Sequence, residues 1–255
     1  VQFSTDDGTT NGRLNFGDML TVPQGLGCCD YKKASQNLAN AYRTDANGVP
    51  LLDTYNDQNI NFGTDNTDPR LDHTVAHPGI SWKYDVHPED LINEGPFYGN
   101  TKTRVIIRYA EVILMKAEAL IELGRHDEAL PLINEIRERA AASTSLLVDG
   151  NGAPLANYVV ENYQPGVNID WTQENARKAL RFERRLELAL EGERFFDLVR
   201  WGVAEEVLNG YFNIEQSRKE YLQGAMFTGG KHEYLPIPQN QIFWSEGKYV
   251  QNPGY

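Results

Sequence analysis

Apolar and polar positions change their pattern abruptly near residue 104 of this chain. Before that point, Gly, Pro, Asn and Asp are frequent, and turn-forming runs such as 45–48 and 63–66 interrupt the apolar positions. One short helix is expected there, over Ser35–Tyr42, with Ser35 as its N-terminal cap. The pattern predicts a loop-rich region over residues 1–103.

The first long helical pattern runs from Arg108 to Leu123, where polar residues occupy one narrow stripe and most others are apolar. A helix that is apolar over so much of its surface is expected to pack on more than one side. A second helix is predicted over residues 127–141, because apolar residues repeat there at helical spacing from Ala129 onward.

The segment between these two helices is typical of a tetratricopeptide hairpin. Gly124 permits a tight turn between helices, and the small side chain of Ala129 allows them to approach closely. One such hairpin is recognisable, in residues 104–142, whereas repeat arrays need about three units for stability. The chain also begins at Val1 without Met. We therefore expect a longer protein whose N-terminal portion is missing from this sequence.

The third part, residues 143–255, is predicted to hold a long helix and a C-terminal tail. The helix is expected to run from the cap residue Thr172 to about Glu191, and a short helix through Trp201 should follow. Beyond Gly210 the chain is predicted to be irregular. Together the three parts are expected to form the C-terminal part of one mostly helical, all-α domain.

Composition excludes several classes of partner. The chain carries 36 acidic and 24 basic residues, a net charge of −12, which argues against nucleic-acid binding and against docking on an anionic membrane surface. No stretch approaches the roughly 20 apolar residues of a transmembrane helix. Cys28 and Cys29 are adjacent, so they cannot link distant parts of the chain, and free thiols are expected.

Acidic side chains on the predicted long helix suggest either a metal or acid–base site or a structural ion-pair network. Glu183, Glu187 and Glu191 repeat at a spacing of four, so like charges share one face and repel unless they are paired. A di-iron site is excluded because no Glu-x-x-His motif accompanies them. We expect a structural ion-pair network with nearby arginines rather than an acid–base pair.

No other signal supports catalysis or metal binding. The chain lacks the Gly-x-Ser-x-Gly, phosphate-loop, His-Glu-x-x-His and Gly-x-Gly-x-x-Gly motifs. His73, His77 and His87 lie close together in sequence, but loop histidines without a rigid scaffold are a weak metal signal. The prediction is no catalytic residue, no cofactor and no metal site.

Aromatic residues are a more informative signal of ligand binding. Sugar rings present apolar faces that stack on Trp and Tyr, whose rims also form hydrogen bonds. The loop-rich region interleaves aromatics with Asn, Asp and Gln, and Trp82, Tyr84 and Tyr31 are candidate ligand-binding residues. Trp201 and Trp244 lie among apolar residues of a helix and of the tail, and both are expected to be structural.

Several segments resemble one known family, the SusD/RagB family of outer-membrane nutrient-binding lipoproteins. The similarity is carried by residues 108–119, 184–202, 235–238 and 251–255, with a weaker match at Asp-Pro-Arg-Leu, 68–71. The resemblance implies an all-α fold in which tetratricopeptide hairpins and a long helix support a loop-rich ligand-binding region. It also implies that the shared helix motifs are scaffold.

The resemblance implies a role at the surface of a Bacteroidetes-type bacterium. Such proteins are lipid-anchored to the outer membrane through their N-terminal part, pair with a SusC-like TonB-dependent porin, and capture nutrients for import. The ligand region implied in this sequence is the loop 29–35, where Tyr31 and Lys32 lie. With Trp82 and Tyr84, they form the predicted ligand-binding set.

The resulting prediction is a non-enzymatic protein that binds oligosaccharides in polysaccharide utilisation. Three alternatives stay open. A peptide-binding member of the same family would rely on backbone hydrogen bonds and side-chain pockets. A helical glycoside hydrolase would show turnover and a carboxylate pair with shifted pKa values. A hairpin scaffold that binds proteins would expose an apolar patch and lack a small-ligand pocket.

Overall fold

The computed structural model describes residues 34–75, 91–92, 99–100 and 107–255. These residues are mostly helical, which confirms the predicted all-α class. Among them, no helix is both long and apolar enough to cross a membrane. The α-helices are α1 (Gln36–Ala41), α2 (Arg70–Thr74), α3 (Tyr109–Glu122), α4 (His126–Ala141), α5 (Gln173–Glu187), α6 (Glu193–Arg200), α7 (Ala204–Glu215) and α8 (Gln239–Trp244).

The described strands are only two residues long. Strand β1 (Asn66–Thr67) pairs in parallel with β4 (Asn157–Tyr158), and β2 (Leu91–Ile92) pairs antiparallel with β3 (Gly99–Asn100). The chain falls into two compact units, Val1–Leu190 and Glu191–Tyr255. The predicted division at residues 103 and 142, within a single domain, stays a prediction.

The helical hairpin predicted over residues 104–142 is present as α3 and α4. Gly124 adopts φ +75°, and the chain then reverses because Arg125 N donates to Leu120 O at 2.8 Å and Gly124 N donates to Ile121 O at 3.0 Å. These two bonds satisfy carbonyls at the end of α3. Ala129 is fully buried in the core that α3, α4 and α5 share.

Helix α3 packs on two sides, against α4 and α5, as its apolar character predicted. Its polar stripe, however, does not mark the exposed face. Glu111 is buried, whereas Tyr109 is 75 % exposed and Val112 and Met115 are about half exposed. These three apolar positions recur every three residues on one side of the helix, so α3 presents an apolar strip to solvent.

Helix α5 begins as predicted and ends earlier than predicted. The hydroxyl of Thr172 accepts a hydrogen bond from Asn175 N at 3.2 Å, a standard N-terminal cap. The helix stops at Glu187 rather than near Glu191: Leu188 already leaves helical geometry, at φ −99° and ψ 19°, and Leu190 at φ +64° and Gly192 at φ +101° prevent the helix from resuming. Left-handed residues cannot continue a right-handed helix.

The described segment around α1 is anchored to α5 and to a second loop by buried contacts. Helix α1 is capped by Ser35, whose hydroxyl accepts from Leu38 N at 3.2 Å, as predicted. Directly after it, Tyr42 is fully buried and donates its hydroxyl proton to Leu186 O at 3.0 Å. Gly48, at φ +74°, lies against another loop so closely that an added Cβ would be 2.6 Å from Glu161 N. These contacts fix the loops that follow α1.

The second unit corrects two predictions. The prediction of irregular chain beyond Gly210 was wrong, since α7 continues through that glycine and α8 follows later. A glycine inside a helix costs only about 1 kcal/mol, and Leu208 and Phe212 pack on a buried cluster around Leu198. Trp244 was expected to be structural but is 66 % exposed.

Candidate functional site

The predicted ligand-binding residues lie outside the described part of the chain. The same holds for the adjacent cysteines and for two of the three histidines between residues 73 and 87. The residues concerned are Tyr31, Lys32, Trp82, Tyr84, Cys28, Cys29, His77 and His87. The structure therefore leaves the predicted site as a prediction.

The glutamates of α5 form a buried ion-pair network. Glu183 is fully buried; its Oε1 accepts from Arg70 Nη1 at 2.6 Å and its Oε2 accepts from Arg137 Nη1 at 3.1 Å. One turn later, Glu187 Oε1 accepts from Arg108 Nη1 at 2.8 Å and its Oε2 accepts from Arg70 Nη1 at 3.2 Å. The prediction of an ion-pair network is confirmed for both residues, but these partners come from other segments of the chain rather than from the nearby arginines of the helix.

Arg70 is the centre of this network. Besides the two glutamates, its Nε donates to Asp68 Oδ1 at 2.9 Å and its Nη2 donates to Asp68 Oδ2 at 2.5 Å. Both residues belong to the Asp-Pro-Arg-Leu segment, 68–71, the weaker of the segments that carry the resemblance to the SusD/RagB family. We use the name Arg70 network for Asp68, Arg70, Arg108, Arg137, Glu183 and Glu187.

The electrostatics of the Arg70 network oppose a catalytic role. Burial alone would raise the pKa of Asp68, but the charge and hydrogen bonds of Arg70 hold it below its ordinary value. The pKa of Glu187 is likewise lowered, against burial, by Arg70, by Arg139 and by a hydrogen bond from Arg108. A general acid needs a raised pKa, so these carboxylates act as ionised structural partners.

Arg137 extends the network into the loops. Its Nε donates to Glu161 O at 2.7 Å and its Nη2 donates to Gly48 O at 2.8 Å, while its guanidinium lies 4.5 Å from the centre of the Tyr163 ring. One buried side chain thus connects α4 to α5 and to two loop backbones. The network holds the loops at Gly48 and Glu161 on the helical scaffold.

His73 lies in α2, with its Nε2 at 3.1 Å from Ser143 O. In the described ranges of the chain, no group of three or more His, Cys, Asp or Glu side chains is arranged to hold a metal ion.

An open pocket of about 350 Å³ lies beside α8 in the second unit. Trp244, 66 % exposed, and Tyr249, 56 % exposed, provide its aromatic surface. The remaining lining side chains are polar: Gln241, Ser245, Glu246 and Lys248. We call residues 239–250, which comprise α8 and the turn after it, the α8 loop.

The α8 loop is closed at its base by side-chain amides. Gln251 Oε1 accepts from Ile237 N at 2.7 Å and its Nε2 donates to Ile237 O at 2.9 Å. Asn252 Nδ2 then donates to Leu235 O at 2.7 Å. The tail segments 235–238 and 251–255, two of those that carry the family resemblance, are therefore bound to each other and hold the loop between them.

A second set of bonds shapes the tip of the loop. Ser245 Oγ donates to Ile242 O at 2.7 Å and accepts from Tyr249 N at 2.9 Å. Glu246, at φ +53°, and Gly247, at φ +80°, reverse the chain between them. As a result, Tyr249 lines the same pocket as Trp244.

Sequence reasoning missed this pocket because Trp244 was grouped with the apolar residues of the tail. A signal was present, since Trp244 and Tyr249 are interleaved with Ser, Glu, Gly and Lys. The same interleaving of aromatic and polar residues was used to select candidates in the loop-rich region.

Comparison with known proteins gives consistent matches. The sequence profile described as the SusD family matches residues 93–255. The chain is 34 % identical over 158 residues to SusD-like protein P38 of Formosa agariphila, covering 59 % of this chain and 27 % of that protein. It is 31 % identical over 150 residues to SusD-like protein P2 of the same organism, covering 58 % of this chain and 25 % of that protein.

A solved structure, the SusD homolog from Bacteroides thetaiotaomicron VPI-5482, matches with a TM-score of 0.49 and 28 % identity. That match covers 63 % of this chain and 28 % of the solved chain. In these relatives the matched region is thus about a quarter of the whole protein.

Proposed function

Because the chain belongs to the SusD family, we propose that it captures oligosaccharides at the cell surface, without cleaving them, for delivery to a TonB-dependent outer-membrane transporter. Proteins of this family are surface binding proteins associated with the outer membrane. The family match over residues 93–255 is the observation that carries the proposal.

The proposed mechanism is stacking of sugar rings on aromatic side chains, with hydrogen bonds from polar neighbours. Tyr31, Lys32, Trp82 and Tyr84 are the proposed ligand-binding residues of the loop-rich region. Binding without cleavage agrees with the pairing of Glu183 and Glu187 with arginines and with the lowered pKa of Glu187.

The test is a calorimetric titration with a panel of neutral oligosaccharides, followed by chromatography of the sugars after incubation. We expect saturable binding to one glycan class with no shorter products, and a loss of about tenfold in affinity for Trp82→Ala and for Tyr31→Ala. Tyr221→Ala is the matched control, because Tyr221 is 80 % exposed and does not line the α8 pocket.

Two results would overturn this proposal. Release of shorter sugars would replace it with the glycoside hydrolase alternative. Binding of peptides in place of every glycan would keep the family assignment and replace the ligand class.

Delivery to a transporter rests on the family-level pairing with SusC-like proteins. Its test is retention of a SusC-like transporter, solubilised from outer membranes, on the immobilised protein. We expect retention that survives washing with salt; a transporter found only in the unbound fraction would remove the delivery step from the proposal.

A further inference from the structure

The α8 pocket combines two flat aromatic faces with uncommitted polar side chains. Trp244 and Tyr249 are both more than half exposed. Within the described residues, the side chains of Gln241, Glu246 and Lys248 form no hydrogen bond or ion pair. Their hydrogen-bonding capacity is available to a ligand.

The aromatic side chains are not what holds the α8 loop together. The base is fixed by Gln251 and Asn252, and the tip by Ser245, through bonds to backbone atoms. The rings of Trp244 and Tyr249 take part in none of these bonds. A loop that is fixed without its aromatics presents them at low entropic cost, which favours binding.

The size and charge of the pocket select the ligand. A volume of about 350 Å³ is near the lower end of the range of small-molecule sites, roughly 300 to 1,000 Å³. One acidic and one basic side chain, Glu246 and Lys248, line it, so their charges cancel. A neutral sugar ring fits such a site. Its apolar face stacks on the aromatic rings, and its hydroxyls form hydrogen bonds with the surrounding polar side chains.

We propose that the α8 pocket is a sugar subsite that stacks a ring of a neutral oligosaccharide on Trp244 and Tyr249. Glu246 accepts hydrogen bonds from ring hydroxyls, and Lys248 donates to them. This inference rests on the proposed function for its ligand class. It adds a binding site in the second unit, whereas the predicted ligand residues all belong to the first.

The experiment is ¹⁹F NMR of the protein labelled with 5-fluorotryptophan, titrated with hexasaccharides of α-1,4-glucose, β-1,4-glucose, xylose and mannose. The chain has four tryptophans, so four resonances are expected. Single Trp→Phe replacements, Trp244→Phe and Trp82→Phe among them, assign the signals. Trp171 is buried and serves as the internal reference.

We expect the Trp244 resonance to shift saturably with one of the hexasaccharides while the Trp171 resonance stays in place. Tyr249→Ala should weaken the interaction seen at Trp244 about tenfold. Phe243→Ala is the matched control, because Phe243 is 77 % exposed in the same loop but does not line the pocket; it should leave the interaction within about twofold.

The outcomes separate this inference from the proposed function. Saturable binding that shifts Trp82 and leaves Trp244 in place would overturn the α8 subsite and preserve glycan capture. Saturable shifts at Trp244 alone would support the subsite and remove Trp82 from the proposed ligand set. Absence of saturable binding by calorimetry and NMR with every sugar would overturn both proposals.

Discussion

The Arg70 network and the α8 loop use charged and polar residues in opposite ways. In the network, Arg70, Glu183 and Asp68 are buried, and each has its charge paired. In the α8 loop, Glu246 and Lys248 lie beside exposed aromatics with no ion pair inside the described chain. Charged side chains that are paired inside the protein stabilise the scaffold. Those without an internal partner can form hydrogen bonds with a ligand.

The largest expected effect comes from breaking the network at its centre. Arg70→Met leaves Asp68, Glu183 and Glu187 short of a buried positive partner, so we expect the first unit to lose about 3 to 5 kcal/mol of unfolding free energy. Urea denaturation followed by circular dichroism measures this loss. A loss below about 1 kcal/mol would show that the network is not a structural element.

An exposed ion pair provides the matched control for Arg70→Met. Arg125 and Glu128 are three positions apart, and Arg125 Nη2 lies 2.7 Å from Glu128 Oε2. Both side chains are more than half exposed. Such pairs contribute little to stability because water screens them. Arg125→Ala should leave the urea midpoint unchanged within experimental error.

Alanine substitutions at one glycine in each region compare how tightly the two regions are packed. A Cβ at Gly48 would lie 2.6 Å from Glu161 N and 2.9 Å from Val160 C, so Gly48→Ala adds overpacking to a strained φ and should cost about 2 to 4 kcal/mol. Gly247 also has a positive φ, but nothing lies within 4 Å of a Cβ there. Gly247→Ala should cost only about 1 to 2 kcal/mol. Equal urea midpoint shifts for the two variants would contradict the tight packing around Gly48.

Lowering the pH should reduce the unfolding free energy of the first unit, because it protonates carboxylates of the Arg70 network. The folded pKa values of Asp68 and Glu187 lie below their ordinary values of 3.8 and 4.5, so their contribution is complete above about pH 4.5 and is lost as pH falls through the folded values. Each pKa unit of depression corresponds to about 1.4 kcal/mol. Urea midpoints at about pH 7 and about pH 3.5 measure the loss. Arg70→Met should abolish or reverse the contribution of Asp68, because burial then raises its pKa, while Glu187 keeps Arg108 and Arg139. A parent midpoint that is unchanged between the two pH values would contradict the pairing.

Local sequence signals predicted the helical scaffold well, because capping side chains and turn glycines act on the backbone within a few residues of their own position. Ser35 and Thr172 mark helix starts through their own side chains, and Gly124 marks the hairpin through its positive φ. The end of α5 was missed because Leu190 adopts a left-handed conformation that its residue type disfavours. Only tertiary packing selects such a conformation, and a local pattern does not contain it.

The candidate site could be predicted only in part, because it depends on long-range contacts. The glutamate stripe indicated a network, but its partners Arg70, Arg108 and Arg137 come from three separate segments. The exposure of Trp244 was hidden for a similar reason. Gln251 closes the loop by bonding to Ile237, fourteen positions earlier, and no periodicity encodes that bond.

The most direct test of the difference between the two regions is to measure stability and glycan affinity together on Trp244→Ala. We expect an unfolding free energy within about 0.5 kcal/mol of the parent, since the side chain is 66 % exposed, and an affinity for the bound oligosaccharide lowered about tenfold. The opposite result, a loss of more than about 1 kcal/mol in stability with unchanged affinity, would make Trp244 a packing residue and contradict its role as a ligand-binding residue.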